Sequence, residues 1–185
     1  MEHMKIKKVS EADFDEVVKE AGGSRIDKPD SADYVLNEAI IELKLVMEEG
    51  FEVRTRQRKI AAIFRRQQPQ SPVVVIRPNS LDETGRRDYY NAVAGPIEGA
   101  VEKAAKQLDK TALRMDTRPV RVLVILNIGY TALSIDEFKD ICIKCALKRN
   151  YNGRIDWLLC GGVYFVSDGF DNLVLPNFND FPARF

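Results

Sequence analysis

Two carboxylates and a lysine stand where a β-hairpin would gather them. The runs SADYVL (31–36) and AIIELKLVM (39–47) are β-type and are joined by the polar pair Asn37-Glu38, a pattern that predicts a hairpin. Asn-Glu is a weaker turn signal than Asn-Gly. With a two-residue turn, Leu36 meets Ala39, Val35 meets Ile40 and Asp33 meets Glu42. Directly opposed residues share a face, with Cβ atoms about 4.5–5.5 Å apart. Lys44 lies two residues on from Glu42 and therefore on the same face, because strand side chains alternate. Ile41, Leu43 and Leu45 then point the other way, into apolar packing.

Facing carboxylates repel each other and destabilise a sheet. A divalent cation removes that cost, and Mg²⁺ is typically held by one or two carboxylates, substrate phosphate and waters. An ammonium beside it can orient or deprotonate the attacking water, or stabilise charge on a phosphorane. Asp33, Glu42 and Lys44 thus have the parts of a metal-assisted phosphodiester hydrolase. The plainer reading is a surface ion pair between Glu42 and Lys44, worth about 0–1 kcal/mol. Asp30, in Pro29-Asp30, competes with Asp33 for the ligand role. Asp33 is preferred, since Asp30 precedes the strand and would oppose Leu45 on the apolar face.

Composition narrows the alternatives. The 185 residues are 45% hydrophobic and 30% charged, with equal numbers of acidic and basic side chains. Such a length suits one domain and buries roughly 70% of the surface of the unfolded chain. A single domain over 1–185 is expected, with its core at about 10–128 and an extension over 129–185. The one histidine, His3, lies in the opening MEHMKIKK, which argues against Ser-His-Asp and Cys-His nucleophiles. Cys142, Cys145 and Cys160 are too few and too odd for a disulfide framework. Cys142 and Cys145 lie in a helical pattern and are expected on its packed face, because zinc needs four ligands and no second CxxC or His pair exists. No apolar run approaches the roughly 18 residues of a membrane span and no signal-peptide pattern opens the chain, so a cytoplasmic protein with no membrane partner is expected.

The supporting elements follow from pattern. Ser10 caps a helix over 11–21 with Phe14, Val17, Val18 and Ala21 as its apolar stripe. Residues 52–68 read as a basic helix, PVVVIR (72–77) as a short apolar strand, and 78–93 as a polar loop or partly helical insert. Pro96 suits the first turn of a helix running to about Met115. VRVLVILNI (120–128) has the continuous apolar character of a strand buried on both faces. Ser134 caps a helix over 135–148, and 155–167 is the last strand, with Trp157 in the core and Gly161-Gly162 inside the strand rather than in a phosphate loop. The tail from Leu173 is expected to be irregular. The class is α/β with a mixed central sheet.

Asp33 on the first strand of the hairpin and Glu42-Leu43-Lys44 on the second, preceded by a helix and followed by a strand, a long helix and another strand, resemble the PD-(D/E)xK nuclease superfamily. The resemblance covers roughly residues 10–128. It implies an αβββαβ restriction-endonuclease-like core, here with an inserted basic helix and a C-terminal helix-strand extension. It also implies Mg²⁺- or Mn²⁺-dependent cleavage of DNA, with Asp33 and Glu42 as metal ligands and Lys44 as the catalytic lysine. In some members an acid from the first helix completes the metal shell; Glu16 and Glu20, four apart on its polar side, are the residues for that, with a solvated face as the alternative. Gln107 and Lys103, four apart on the long helix, would face the phosphate, or solvent.

Charge is unevenly spread. Residues 1–50 carry net −6 and residues 51–90 net +5. Arg54, Arg56, Arg58, Lys59, Arg65 and Arg66 fall on or near one helix, the electrostatic footprint of a phosphate-backbone contact. Arg86-Arg87-Asp88-Tyr89-Tyr90 adds cations beside two aromatics, of which Tyr89 or Tyr90 could stack on an unpaired base. The alternatives are an exposed Arg-rich helix face, a catalytically inactive nuclease-fold module for nucleic-acid binding or assembly, and a homodimer built by the last helix and strand.

Overall fold

The structure, a computed structural model, describes residues 9–47, 55–67, 69, 80–129, 133–162, 164–165 and 173–174. The expected strand at 72–77 and Arg54 lie outside the described residues, as do His3 and most of the tail.

The chain opens with α1 (Glu11–Glu20), whose Ser10 and Asp13 form a reciprocal capping box. Three antiparallel strands follow: β1 (Ser24–Arg25), β2 (Tyr34–Leu36) and β3 (Ala39–Val46). Helices α2 (Thr55–Gln67) and α3 (Glu83–Ala112) precede β4 (Val120–Asn127), and α4 (Ile135–Ala146) precedes β5 (Trp157–Gly162). The strands make a mixed five-stranded sheet in the order β1-β2-β3-β4-β5, in which β3, β4 and β5 are parallel. Two short strands, β6 (Tyr164–Phe165) and β7 (Leu173–Val174), pair separately; β7 departs from the irregular tail expected there.

Side chains alternate cleanly across β3. Ile41 and Leu43 join Phe14 and Val18 of α1 on one face, together with Val122 and Val124 of β4. Ile40 and Val46 join α2, α3 and α4 on the other, with Leu123 and Ile125 of β4. The period of two therefore sends Glu42 and Lys44 to the α3 face, away from α1. The hairpin register matches the one derived above: Leu36 pairs with Ala39, Val35 with Ile40 and Tyr34 with Ile41. Asn37 closes the turn at φ 50, in the left-handed region that Asn tolerates better than most residues.

Two elements differ from expectation. The two-residue β1 carries too little pattern to be seen in sequence. The long helix begins at Glu83, not near Pro96, so 83–93 is helix rather than loop. Its Gly, Asp, Asn and Pro content argues for a loop, but Tyr89, Val93, Ile97 and Val101 recur every fourth residue and are all buried. Pro96 sits exposed inside the helix, where packing of that stripe outweighs the lost backbone bond. Trp157, expected in the core, is 48% exposed at the start of the edge strand β5. Cys142 and Cys145 are buried on the packed face of α4 as expected. No described helix is long and apolar enough to cross a membrane.

The early start of α3 rests on Asp82, whose side chain accepts from the Gly85 amide at 2.6 Å. Asp82→Ala should cost about 1 kcal/mol in urea or thermal unfolding. Unchanged stability would contradict a helix capped there.

Candidate active site

Glu42 is the most unusual side chain in the sheet. It is fully buried, between Ile40 and Lys44 on β3 and under α3. Burial strips water from its carboxylate, which is expensive unless a partner replaces it. Lys44 provides part of that replacement: its ammonium donates to Glu42 Oε1 and forms an ion pair with it. The other oxygen, Oε2, is buried and meets no donor among the described residues. Burial pushes the Glu42 carboxyl up to about 7, Lys44 opposes that rise, the nearby negative charge of Asp33 adds to it, and Lys103 lowers it.

Asp33 therefore lies close enough to Glu42 to act on its charge, as the hairpin register demands. Its Oδ2 accepts from the Leu43 amide at 2.8 Å, and its carbonyl accepts from the Ile26 amide at 2.8 Å. Asp33 is half-buried. Asp30, the competing carboxylate, is exposed at φ 56 and pairs with Lys110 of α3 at 3.1 Å. It is held away from Glu42.

The long helix contributes a polar stripe. Gln107 accepts from the Lys44 ammonium at 3.2 Å and donates to the Ser31 carbonyl at 3.0 Å. One turn on, Thr111 Oγ1 accepts from the Ala32 amide at 2.6 Å, and Arg114 donates to Ser31 Oγ at 2.8 Å. Positions 107 and 111 share a face of α3, and Arg114 lies just past its C-cap Leu113. Gln107 thus joins the site, while Ser31, Thr111 and Arg114 were not singled out from sequence.

Other candidates fall elsewhere. Glu16 is exposed on α1, which packs on the opposite face of the sheet from Glu42; Glu20 is exposed as well. Elsewhere on α1, Asp13 closes the capping box with Ser10, and Glu11 and Asp15 pair with Arg25, Asp15 also accepting from Tyr34 OH at 2.7 Å. Among the described residues no three His, Cys, Asp or Glu side chains form a metal-ligand group. On α2, Arg58, Lys59 and Arg65 are exposed, whereas Arg56 is buried. Arg56 therefore departs from the basic surface expected of it, because it lies with Ile60, Ile63 and Phe64 on the packed side. Arg66 is paired with Asp88 at 3.0 Å. Tyr89 is buried edge-on against Phe64 at 5.8 Å, so it offers no stacking surface. Tyr90 is exposed, with the Lys144 ammonium 5.5 Å from its ring centre.

The arrangement pairs two oxygen ligands with an ammonium that is already oriented. An orphaned, buried carboxylate oxygen next to a second carboxylate is the donor set that suits a hard divalent cation.

A raised carboxyl has a consequence for stability. Glu42 titrates near 4.5 when unfolded and near 7 when folded. Between these values the folded chain binds a proton that the unfolded chain lacks, so lowering the pH through this window stabilises the fold. Glu42→Gln should remove that component and, at about pH 8, gain on the order of 2 kcal/mol over the wild type. Thermal unfolding from about pH 5 to 8 checks this; parallel curves for the two proteins would contradict it. Compared with protein-family models, curated proteins and solved structures, the chain matches none.

Proposed function

We propose that this protein is a Mg²⁺- or Mn²⁺-dependent phosphodiester hydrolase acting on DNA, a nuclease of the PD-(D/E)xK kind. The observation that carries the reading is the buried Glu42, with one oxygen on Lys44 and the other without a donor among the described residues, beside Asp33. A structural ion pair alone does not account for a carboxylate left half-satisfied at a cost of about 1–3 kcal/mol.

The element order supports the same reading. Helix α1, the meander β1-β2-β3, helix α3 and the parallel strand β4 fit an αβββαβ succession when α2 is counted as the inserted helix and β1 stands in for the expected strand at 72–77, which lies outside the described residues. Here β1 supplies the first of the three strands, and β2 and β3 carry the site.

In this reading Asp33 and Glu42 hold the cation through their carboxylate oxygens. A bound Mg²⁺ supplies Lewis acidity and lowers the pKa of a coordinated water. The residues of the chain do the positioning. Lys44 is held by Glu42 and Gln107 with its ammonium in the site, where it orients the attacking water and offsets the negative charge that grows on the phosphoryl oxygens. Gln107 keeps Lys44 from folding back, because its amide is itself fixed on Ser31. Lys103 is exposed and near Glu42, and serves as a contact to the scissile phosphate. Arg58 and Lys59 on α2 offer further backbone contacts to the nucleic acid. Glu16 is not part of this ligand set.

A second reading, a catalytically inactive module on the same fold, is favoured by one observation: the Lys44 ammonium is already engaged by two partners. Cleavage assays separate the two. Asp33→Ala and Glu42→Ala should abolish Mg²⁺-dependent cleavage of duplex or single-stranded DNA with the fold retained by circular dichroism. Lys44→Ala should keep Mn²⁺ binding and lose roughly 10²–10³-fold in rate. Wild-type cleavage by the Glu42→Ala protein would refute the assignment.

A further inference from the structure

The strand that carries Asp33 leaves its neighbour at a defined point. Opposed residues in an antiparallel pair alternate between exchanging two hydrogen bonds and exchanging none. Leu36 and Ala39 flank the two-residue turn and are an exchanging pair, so Tyr34 with Ile41 is the next and Ala32 with Leu43 the one after. The Asp33 carbonyl accordingly faces β1, where it accepts from Ile26. Yet β2 stops at Tyr34.

Both donors freed at that break have a new acceptor. The Ala32 amide turns to Thr111 Oγ1 at 2.6 Å, and the Leu43 amide turns to Asp33 Oδ2 at 2.8 Å. In a continued ladder each would meet the other's carbonyl, and the Asp33 side chain would have no bond to Leu43. Thr111 is 5% exposed and donates its own hydrogen to the Gln107 carbonyl at 2.9 Å. With its hydrogen committed there, the hydroxyl serves Ala32 as an acceptor. Among the described residues the Ala32 amide has no acceptor besides Thr111, so without the hydroxyl it is left buried and unpaired or returns to Leu43.

We propose that Thr111 is a positioning residue: its hydroxyl holds β2 open beyond Tyr34 and thereby fixes the Asp33 carboxylate against the Leu43 amide, in place to share a cation with Glu42. The inference rests on the cation-site reading only in its last step. Gln107 donates to the Ser31 carbonyl of the same peptide, and Arg114 on Ser31 and Lys110 on Asp30 lie alongside, but Thr111 is the residue that accepts from the freed Ala32 amide.

Amide hydrogen exchange and Mn²⁺ calorimetry on the full chain test it. In the wild type the Ala32 amide should be protected although it lies outside the sheet; a freely exchanging Ala32 amide overturns the proposal, with no variant needed. Thr111→Val keeps the shape and removes the acceptor, and should change exchange at Leu43 and weaken Mn²⁺ at least tenfold. Thr111→Ser keeps the acceptor and should lie within threefold of wild type. Unaltered Leu43 exchange and Mn²⁺ affinity in Thr111→Val would overturn it. If the wild type binds no Mn²⁺, the cation reading fails, while exchange at Ala32 and Leu43 still decides the role of Thr111.

Discussion

A carboxylate buried in the middle of a sheet constrains everything around it. Glu42 sits in the layer that also holds Ile40, Leu123 and Ile125, where apolar contact is the rule. Its charge is tolerable because Lys44 reaches back two residues along the same strand and Lys103 lies within range, against the opposing negative charge of Asp33. An apolar residue at this position would make a better core, since buried ion pairs rarely outperform well-packed hydrophobes. Under the proposed function, keeping Glu42 there with one oxygen lacking a donor among the described residues exchanges stability for a poised ligand. Such trades concentrate at functional sites.

Helix α3 makes the arrangement possible by having two working faces. One is the stripe Tyr89, Val93, Ile97, Val101, Ala104 and Leu108, which packs on the sheet beside α2 and α4. The other carries Gln107, Lys110 and Thr111, with Arg114 just beyond the helix end, and takes hold of residues 30–32 and of Lys44. The segment entering β2 is thus held by a helix some 80 residues later in the chain, not by its own hairpin. The 30-residue length of α3 allows one rigid element to serve both roles.

Much of this was legible in the sequence, for physical reasons that differ by element. The hairpin register followed from strand alternation and a two-residue turn, so the proximity of Asp33, Glu42 and Lys44 could be deduced. The strand at Val120–Asn127 and the capped helix after Ser134 carry strong local signals. The start of α3 did not, because Gly85 and Pro96 have poor helix propensity and only the four-residue recurrence of buried side chains overrides them. The burial of Arg56 and Tyr89 was equally hidden: a charge or a hydroxyl reads as surface until the packing of α2 on α3 is known. Thr111 was missed since its partner, a backbone amide, leaves no trace in sequence.

The paired roles assigned to Asp33 and Glu42 require one ion between them. Diffraction from crystals soaked in Mn²⁺, recorded at the manganese edge, tests this most directly. The account predicts an anomalous peak bonded to an oxygen of each carboxylate, with Lys44 and Gln107 alongside. An empty site at saturating Mn²⁺, with Glu42 still bound only to Lys44, would contradict it.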